Sequence, residues 1–286
     1  AFSVGAIVFF GSILYTIFTT KENPPEDLNQ FLTEKKASRF IPDLVISLKE
    51  MPATMKKLGL IQFFSWFAFF TMWSLSTPAL TEHVFHSPKP DVKEFAKLDD
   101  KGAVIKNSQE EVIYLSSSKE QEYQAKDKIY NNAADLVGSA TGVYGLSSMV
   151  FALFLTFYTL KNKINRKYIH MASLIIGGLG FIYMFYATPE TLMYSFILIG
   201  FSWGSILSMP YAMLSSSVNP NKMGMMMGLF NMFIVIPQII AALGGINYLY
   251  KLIGEAHINA MLLAGLLLII AGLCNFFITD KNAISG

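Results

Sequence analysis

The sequence predicts an all-α, polytopic membrane protein, and three observations predict it. Of 286 residues, 53% are apolar and only 15% are charged, against roughly 25% charged in an ordinary soluble domain. Phe (24), Met (15) and Tyr (13) are abundant, and the mean hydropathy is positive. Apolar runs of about twenty residues recur along the chain, the length that crosses a bilayer core about 30 Å thick. The same composition excludes a disordered chain, a nucleic-acid-binding arm and a disulfide scaffold. The net charge of +2 is too small to call for an acidic partner. The single cysteine, Cys274, sits in an apolar run and reads as packing.

Seven runs qualify as spans: 1–19, 58–80, 133–160, 169–187, 191–214, 223–247 and 257–279. The fifth follows the turn Thr188-Pro189-Glu190, and the sixth follows the breaker run 215–222. The chain starts with Ala and is apolar at once, without a basic n-region or a small-residue cleavage site. It is therefore not a signal peptide, and it reads as a chain cut inside a longer protein.

Charge sets the direction. Residues 161–168 hold Lys161, Lys163, Arg166 and Lys167 and no acid, whereas the 188–190 turn has no Lys or Arg. Short loops rich in Lys and Arg stay cytoplasmic, so the 161–168 loop and the C-terminus lie inside and the 188–190 turn outside. Counting back delivers segment 20–57, with its seven Lys and Arg residues, to the cytoplasm. Its stretch 31–48 has apolar residues near helical spacing and reads as an interfacial helix. Segment 81–132 falls outside; it is polar and reads as a solvated cap, with a short strand or hairpin at 112–115.

No Asp, Glu, Lys or Arg lies deep inside a span, and Asp135, about one turn into the third, comes nearest. Intramembrane charges mark proton relays and voltage sensors, and the last span lacks a Lys for a retinal Schiff base. The four His are scattered and no metal-ligand spacing exists. Neither a metal nor a cofactor is expected.

The spans carry neutral polar and aromatic groups instead. Asn231 and Gln238 are seven residues apart, which puts them on one helix face, and Pro237 beside Gln238 can break the helix. Gly224 and Gly228 form a small-xxx-small pair suited to close helix approach. Ser202, Ser205 and Ser208 accompany Trp203, Pro210 and Tyr211. Gln62, Trp66 and Trp73 share the second span, and Asp135, Ser139, Thr141 and Tyr144 the third. Each group also has a plain structural reading. Amides bridge helices, serines bond back to their own helix, and Trp anchors interfaces. Together, amides, hydroxyls and aromatic faces without buried charge suit an uncharged, hydroxyl-rich ligand, and a sugar fits.

The loop Asn162-Lys163-Ile164-Asn165-Arg166-Lys167 resembles the cytoplasmic D-R-x-G-R-[RK] signature of the major facilitator superfamily, with Asn162 at the Asp and Asn165 at the Gly position. The run from Gly228 through Asn231, Ile234, Val235 and Pro237 to Gln238 resembles the G-x-x-N-x-x-I-V-x-P-Q pattern of its sucrose and maltose type transporters, the glycoside–pentoside–hexuronide and plant sucrose carriers. Trp66-Phe67-Ala68-Phe69 resembles their W-F-P-F run.

The resemblance implies twelve spans in two six-helix halves. Residues 1–19 would be the last helix of the first half, 20–57 the cytoplasmic central loop, and 58–286 the second half with 81–132 as an extracytoplasmic loop. It implies residence in a lipid bilayer, as a multi-pass protein of the bacterial inner membrane. The implied partners are a small-molecule sugar of disaccharide or α-glucoside type, a proton or another cation as co-substrate, and the missing first half. No nucleic acid is among them.

The substrate-binding candidates are Asn231, Gln238, Trp66, Trp203, Tyr211, Gln62, Tyr144 and Asp135. The cytoplasmic gate candidates are Lys163, Arg166 and Lys167. A seven-helix receptor is the competing reading, since the span count and direction fit. A membrane-embedded enzyme ranks last, because no span pairs a nucleophile with a base.

Overall fold

The computed structural model describes residues 2–20, 46, 48–161, 165–219 and 223–278. It comprises two units, Ala1–Glu50 and Met51–Gly286. In the first unit, α1 (Phe2–Thr19) is an apolar helix. Its Ser12, Thr16 and Thr19 hydroxyls donate to carbonyls one turn back, which satisfies them within the helix, as an apolar medium requires. The interfacial helix expected within 31–48 falls almost wholly outside the described residues.

The second unit contains α2 (Ala53–His83), α3 (Ser117–Lys161), α4 (Arg166–Tyr183), α5 (Leu192–Ser215), α6 (Met223–Ile240), α7 (Ile246–Lys251) and α8 (Ile258–Cys274). Among the described residues, five helical stretches are long and apolar enough to cross a membrane, and α1 is a shorter apolar helix. The helix α4 falls below that measure because Arg166 and Lys167 open it. Closest packing runs in the order α6, α2, α8, α4, α5, α3, and α2 also touches α3 and α5.

Polar contacts tie the helix ends into two rims. At one, the Arg166 guanidinium donates to the Ala212 carbonyl (2.6 Å) and the Ser216 hydroxyl (3.2 Å), and Lys167 Nζ donates to the Ile278 carbonyl (3.1 Å). Cations thus serve the carbonyl-rich ends of α5 and α8. At the other rim, Glu82 pairs with His257 at 2.8 Å, and His83 Nε2 meets the Phe185 carbonyl at 2.8 Å.

A glycine-to-glycine seam joins α4 and α8. A Cβ on Gly178 would sit 2.8 Å from the Gly265 carbonyl oxygen, and one on Gly265 would sit 2.8 Å from that of Gly178. The two backbones touch because neither carries a side chain there, which is how helices gain van der Waals contact where lipid removes the hydrophobic driving force.

Three sequence expectations need correction. Gly224 and Gly228 do not mediate close approach within the described chain, since added Cβ atoms would meet nothing within 4 Å. They are exposed, and α6 leans on α2 elsewhere, with the Phe233 ring over Gly59. Pro237 does not break α6, which continues to Ile240. The irregularity comes a turn later, in a π segment Ala241–Gly245, where Gly244 takes φ 108°, a left-handed value that an L side chain resists. The helix that carries the third span begins well before 133, at Ser117, so 117–132 is helix and not part of a loop. Its polar first turns hold together through Lys119–Glu122, Glu122–Lys126 and Asn131–Asp127 contacts one turn apart, a spacing that stabilises helix in water.

The cap expected outside is a small meander. Isolated antiparallel bridges pair Ala96 with Tyr114, Leu98 with Val104 and Lys106 with Val112, so 112–115 pairs without forming a regular strand. Its turns close through Asp99, whose Oδ1 accepts from Lys101 and Ala103, and Asn107, whose Oδ1 accepts from Gln109 and Glu111. Phe95 is buried beneath, with the Lys119 and Lys126 ammonium groups 5.5 and 5.1 Å from its ring centre.

Candidate functional site

Helical spacing on α2 brings Gln62, Trp66, Phe69 and Trp73 onto one face, at steps of four, three and four residues. Trp203, near the middle of α5, reaches the same place. Ring centres lie 5.4 Å apart for Trp66–Trp203, 5.3 Å for Trp73–Trp203 and 6.2 Å for Trp66–Trp73, all edge-on. Edge-on contact sets the positive rim of one ring against the negative face of the next, worth about 0.5–1.5 kcal/mol per pair beyond burial. Tyr144 of α3 joins by accepting from Trp73 Nε1 at 3.2 Å. All three tryptophans of the chain are therefore in one cluster at mid-depth of the bundle.

Phe69 holds the cluster together; the sequence names it only within the W-F-P-F-like run and not among the substrate-binding candidates. It is fully buried and lies 4.9 Å from Trp203, 6.0 Å from Trp73 and 5.9 Å from Phe181. The helical period between Trp66 and Trp73 is the signal that points to it. Trp73 is 40% exposed, so the cluster has an open side.

Beside the rings, polar capacity is unspent. Gln62 is fully buried, and neither of its amide atoms has a hydrogen-bond partner among the described residues; the Trp66 Nε1 is in the same condition. A buried polar group without a partner costs about 1–3 kcal/mol. The two lie one turn apart, so one donor–acceptor amide and one indole donor face the same neighbourhood.

A second polar pair stands further along. Tyr211 is eight residues from Trp203, about 12 Å of helix, and its hydroxyl donates to Asn231 Oδ1 at 3.0 Å. Asn231 is exposed, and the Tyr211 ring meets Phe230 edge-on at 5.6 Å.

The structure thus brings Trp66, Trp203 and Tyr144 together with Gln62 alongside, and separately joins Tyr211 to Asn231. Gln238 turns back on its own helix and donates to the Ile234 carbonyl at 3.1 Å. Asp135 is exposed on α3, nine residues before Tyr144, and joins no described site contact. Of the gate candidates, Arg166 and Lys167 pin the ends of α5 and α8, and Lys163 lies outside the described residues.

Two polar pairs escaped the sequence reading. Glu82–His257 spans 175 positions, and His170, fully buried, shares a 2.8 Å hydrogen bond with Ser205 across α4 and α5. Neither leaves a local signal. Among the described residues, no group of three or more His, Cys, Asp or Glu could hold a metal ion.

The family model described as Major Facilitator Superfamily matches residues 121–284, more than half of the chain. No curated protein matches it.

Proposed function

Since this chain belongs to the major facilitator superfamily, we propose that it works as a secondary active transporter of sugars, of disaccharide or α-glucoside type, by cation symport. Family membership makes it a multi-pass membrane transporter and does not favour the seven-helix receptor. The sugar, the coupling cation, the correspondence to a second six-helix half and the bacterial inner membrane are the finer parts of the proposal.

One observation carries the sugar reading: Gln62 and Trp66 keep unbonded polar atoms beside a three-tryptophan cluster with an open side. A pyranose has apolar C–H faces for the rings, and its hydroxyls both donate and accept, as the Gln62 amide requires. Such a ligand would relieve the desolvation cost of these unpaired groups. A charged substrate gains nothing here, because the cluster's helices offer it no counter-ion deep in the span. Tyr211 and Asn231 form a further hydroxyl-binding pair toward the Arg166 rim. Rocking of one half against another about this mid-depth site gives alternating access, with Arg166 and Lys167 keeping the moving helix ends together. The role is transport, not enzymatic chemistry.

The test is uptake by cells producing the intact protein. Labelled maltose should accumulate against its gradient, collapse with a protonophore or removal of the coupling cation, and be competed by sucrose above monosaccharides. No accumulation of any glucoside, with the protein present in the membrane, overturns the sugar reading.

A further inference from the structure

Beyond the end of α2, where segment 86–95 folds over α3, lies a cavity of about 490 Å³. The wall that this segment forms is fixed at both ends. At its start, His86 takes φ 50°, and the Ser87 N–H donates back to the Thr81 carbonyl at 2.8 Å. At its end, the buried Phe95 ring meets Tyr123 of α3 at 5.6 Å, and the Phe95 N–H donates to the Val92 carbonyl at 3.1 Å. Pro88 and Pro90 stiffen the stretch between. The cavity is therefore preformed, as small-molecule sites are.

Its lining carries charges of both signs that do not cancel each other. Lys89 and Glu94 both line it, and among the described residues neither side chain has a partner. Asp91 spends Oδ1 on the Lys93 N–H at 3.0 Å, which leaves its second oxygen. Lys126, on the α3 wall, pairs at 3.0 Å with Glu122, which is not in the lining. Phe95 and Ile129 add apolar surface.

We propose that this cavity binds a zwitterionic α-amino acid with a branched apolar side chain. Its carboxylate meets Lys89, its ammonium meets Asp91 and Glu94, and its side chain lies on Phe95 and Ile129. A ligand with one charge satisfies one set of groups and is repelled by the other. A neutral sugar forms an ion pair with neither. Exposed charge contacts are weak, so the affinity should be about millimolar. The inference stands apart from the sugar reading.

Saturation-transfer difference NMR tests it on the intact protein in phosphatidylglycerol nanodiscs, a lipid without an ammonium group. L-Leucine should bind saturably with a Kd of about 1 mM. Leucinamide, which lacks the carboxylate, and 4-methylpentanoate, which lacks the ammonium, should each bind about fivefold more weakly. Lys89→Gln should weaken leucine by a similar factor yet tighten leucinamide. Glu94→Gln should weaken leucine yet tighten 4-methylpentanoate. That crossed pattern follows charge, and a merely structural role would not give it. Lys93→Gln, exposed on the same stretch and outside the lining, should change nothing. Lys89 and Glu94 are themselves exposed, so both variants should fold, which thermal unfolding checks. Phosphoethanolamine, the free headgroup of a zwitterionic phospholipid, should bind more weakly than leucine, having no side chain for Phe95 and Ile129. No saturable leucine signal, a single-charge analogue or phosphoethanolamine as tight as leucine, displacement of leucine by maltose, or absence of the crossed pattern each overturns the proposal.

Discussion

The two sides of the bundle solve opposite problems. Along α4 and α8, glycines let backbones touch at Gly178 and Gly265, with no room for a side chain between them. Along α2 and α5, large rings meet edge-on, and the polar atoms of Gln62 and Trp66 stay unbonded. The first arrangement maximises contact. The second accepts a local desolvation cost, and such a cost is retained where a ligand relieves it. Under the proposed function, stability and recognition occupy different helix faces of one domain.

The comparison breaks first at its rigid side. Gly178→Leu puts a branched side chain where Gly265 backbone already sits, so it should destabilise by about 3 kcal/mol and remove folded protein from the membrane, as read by detergent-solubilised yield and thermal unfolding. Normal yield would show that the seam can open.

Gln62→Leu tests the other side. It deletes an unpaired buried amide for an apolar group of similar length, so thermal stability should hold or rise by about 1 kcal/mol while glucoside uptake falls at least tenfold. A loss of stability would make Gln62 a structural residue. Tyr211→Phe and Asn231→Ala should each lower uptake, by up to about tenfold if one hydrogen bond to substrate is lost. Because they share that bond, the double variant should be no worse than the poorer single one, a non-additivity that separate roles would not give.

Smaller effects come from the rims and cap. Glu82 and His257 are each more than a third exposed, so His257→Ala should cost no more than about 1 kcal/mol and leave sugar affinity unchanged. Hydrogen bonds from Lys119 and Lys126 hold the Glu122 carboxyl below its usual pKa. A depressed carboxylate stabilises the fold above its unfolded pKa of about 4.3, and the benefit is lost as pH falls through the lower folded value. Proteolytic protection of the cap should weaken in that acid window, and Glu122→Gln should flatten the dependence.

Much of the fold was legible because bilayer length and apolar composition leave one solution, the helix. The sequence reading put span ends within a few residues where Pro, Gly or charge interrupts the run, as at Thr188-Pro189-Glu190. It missed the start of α3, because Ser117 to Asn132 is polar helix in water, whose hydropathy resembles a loop's. It misassigned Gly224 and Gly228, since spacing alone does not say which face meets a neighbour. The site was half legible. Trp66, Trp203 and Tyr144 announced themselves by type, while Phe69 was visible only as part of the W-F-P-F-like run, and its place in the cluster follows from the helical register between Trp66 and Trp73. Contacts such as Glu82–His257 depend on where helix ends land, which no local pattern encodes.

The unbroken run of α3 has a mechanical consequence. At 45 residues and 1.5 Å each, it is a rod about 68 Å long, with its membrane portion and its water-exposed portion in one piece. Any tilt of the buried part must swing the far end of α3, together with the cap packed on it, through a larger arc. A spin label or dye near Lys119 would therefore act as a pointer, turning angular changes too small to see in the span into measurable displacement outside it.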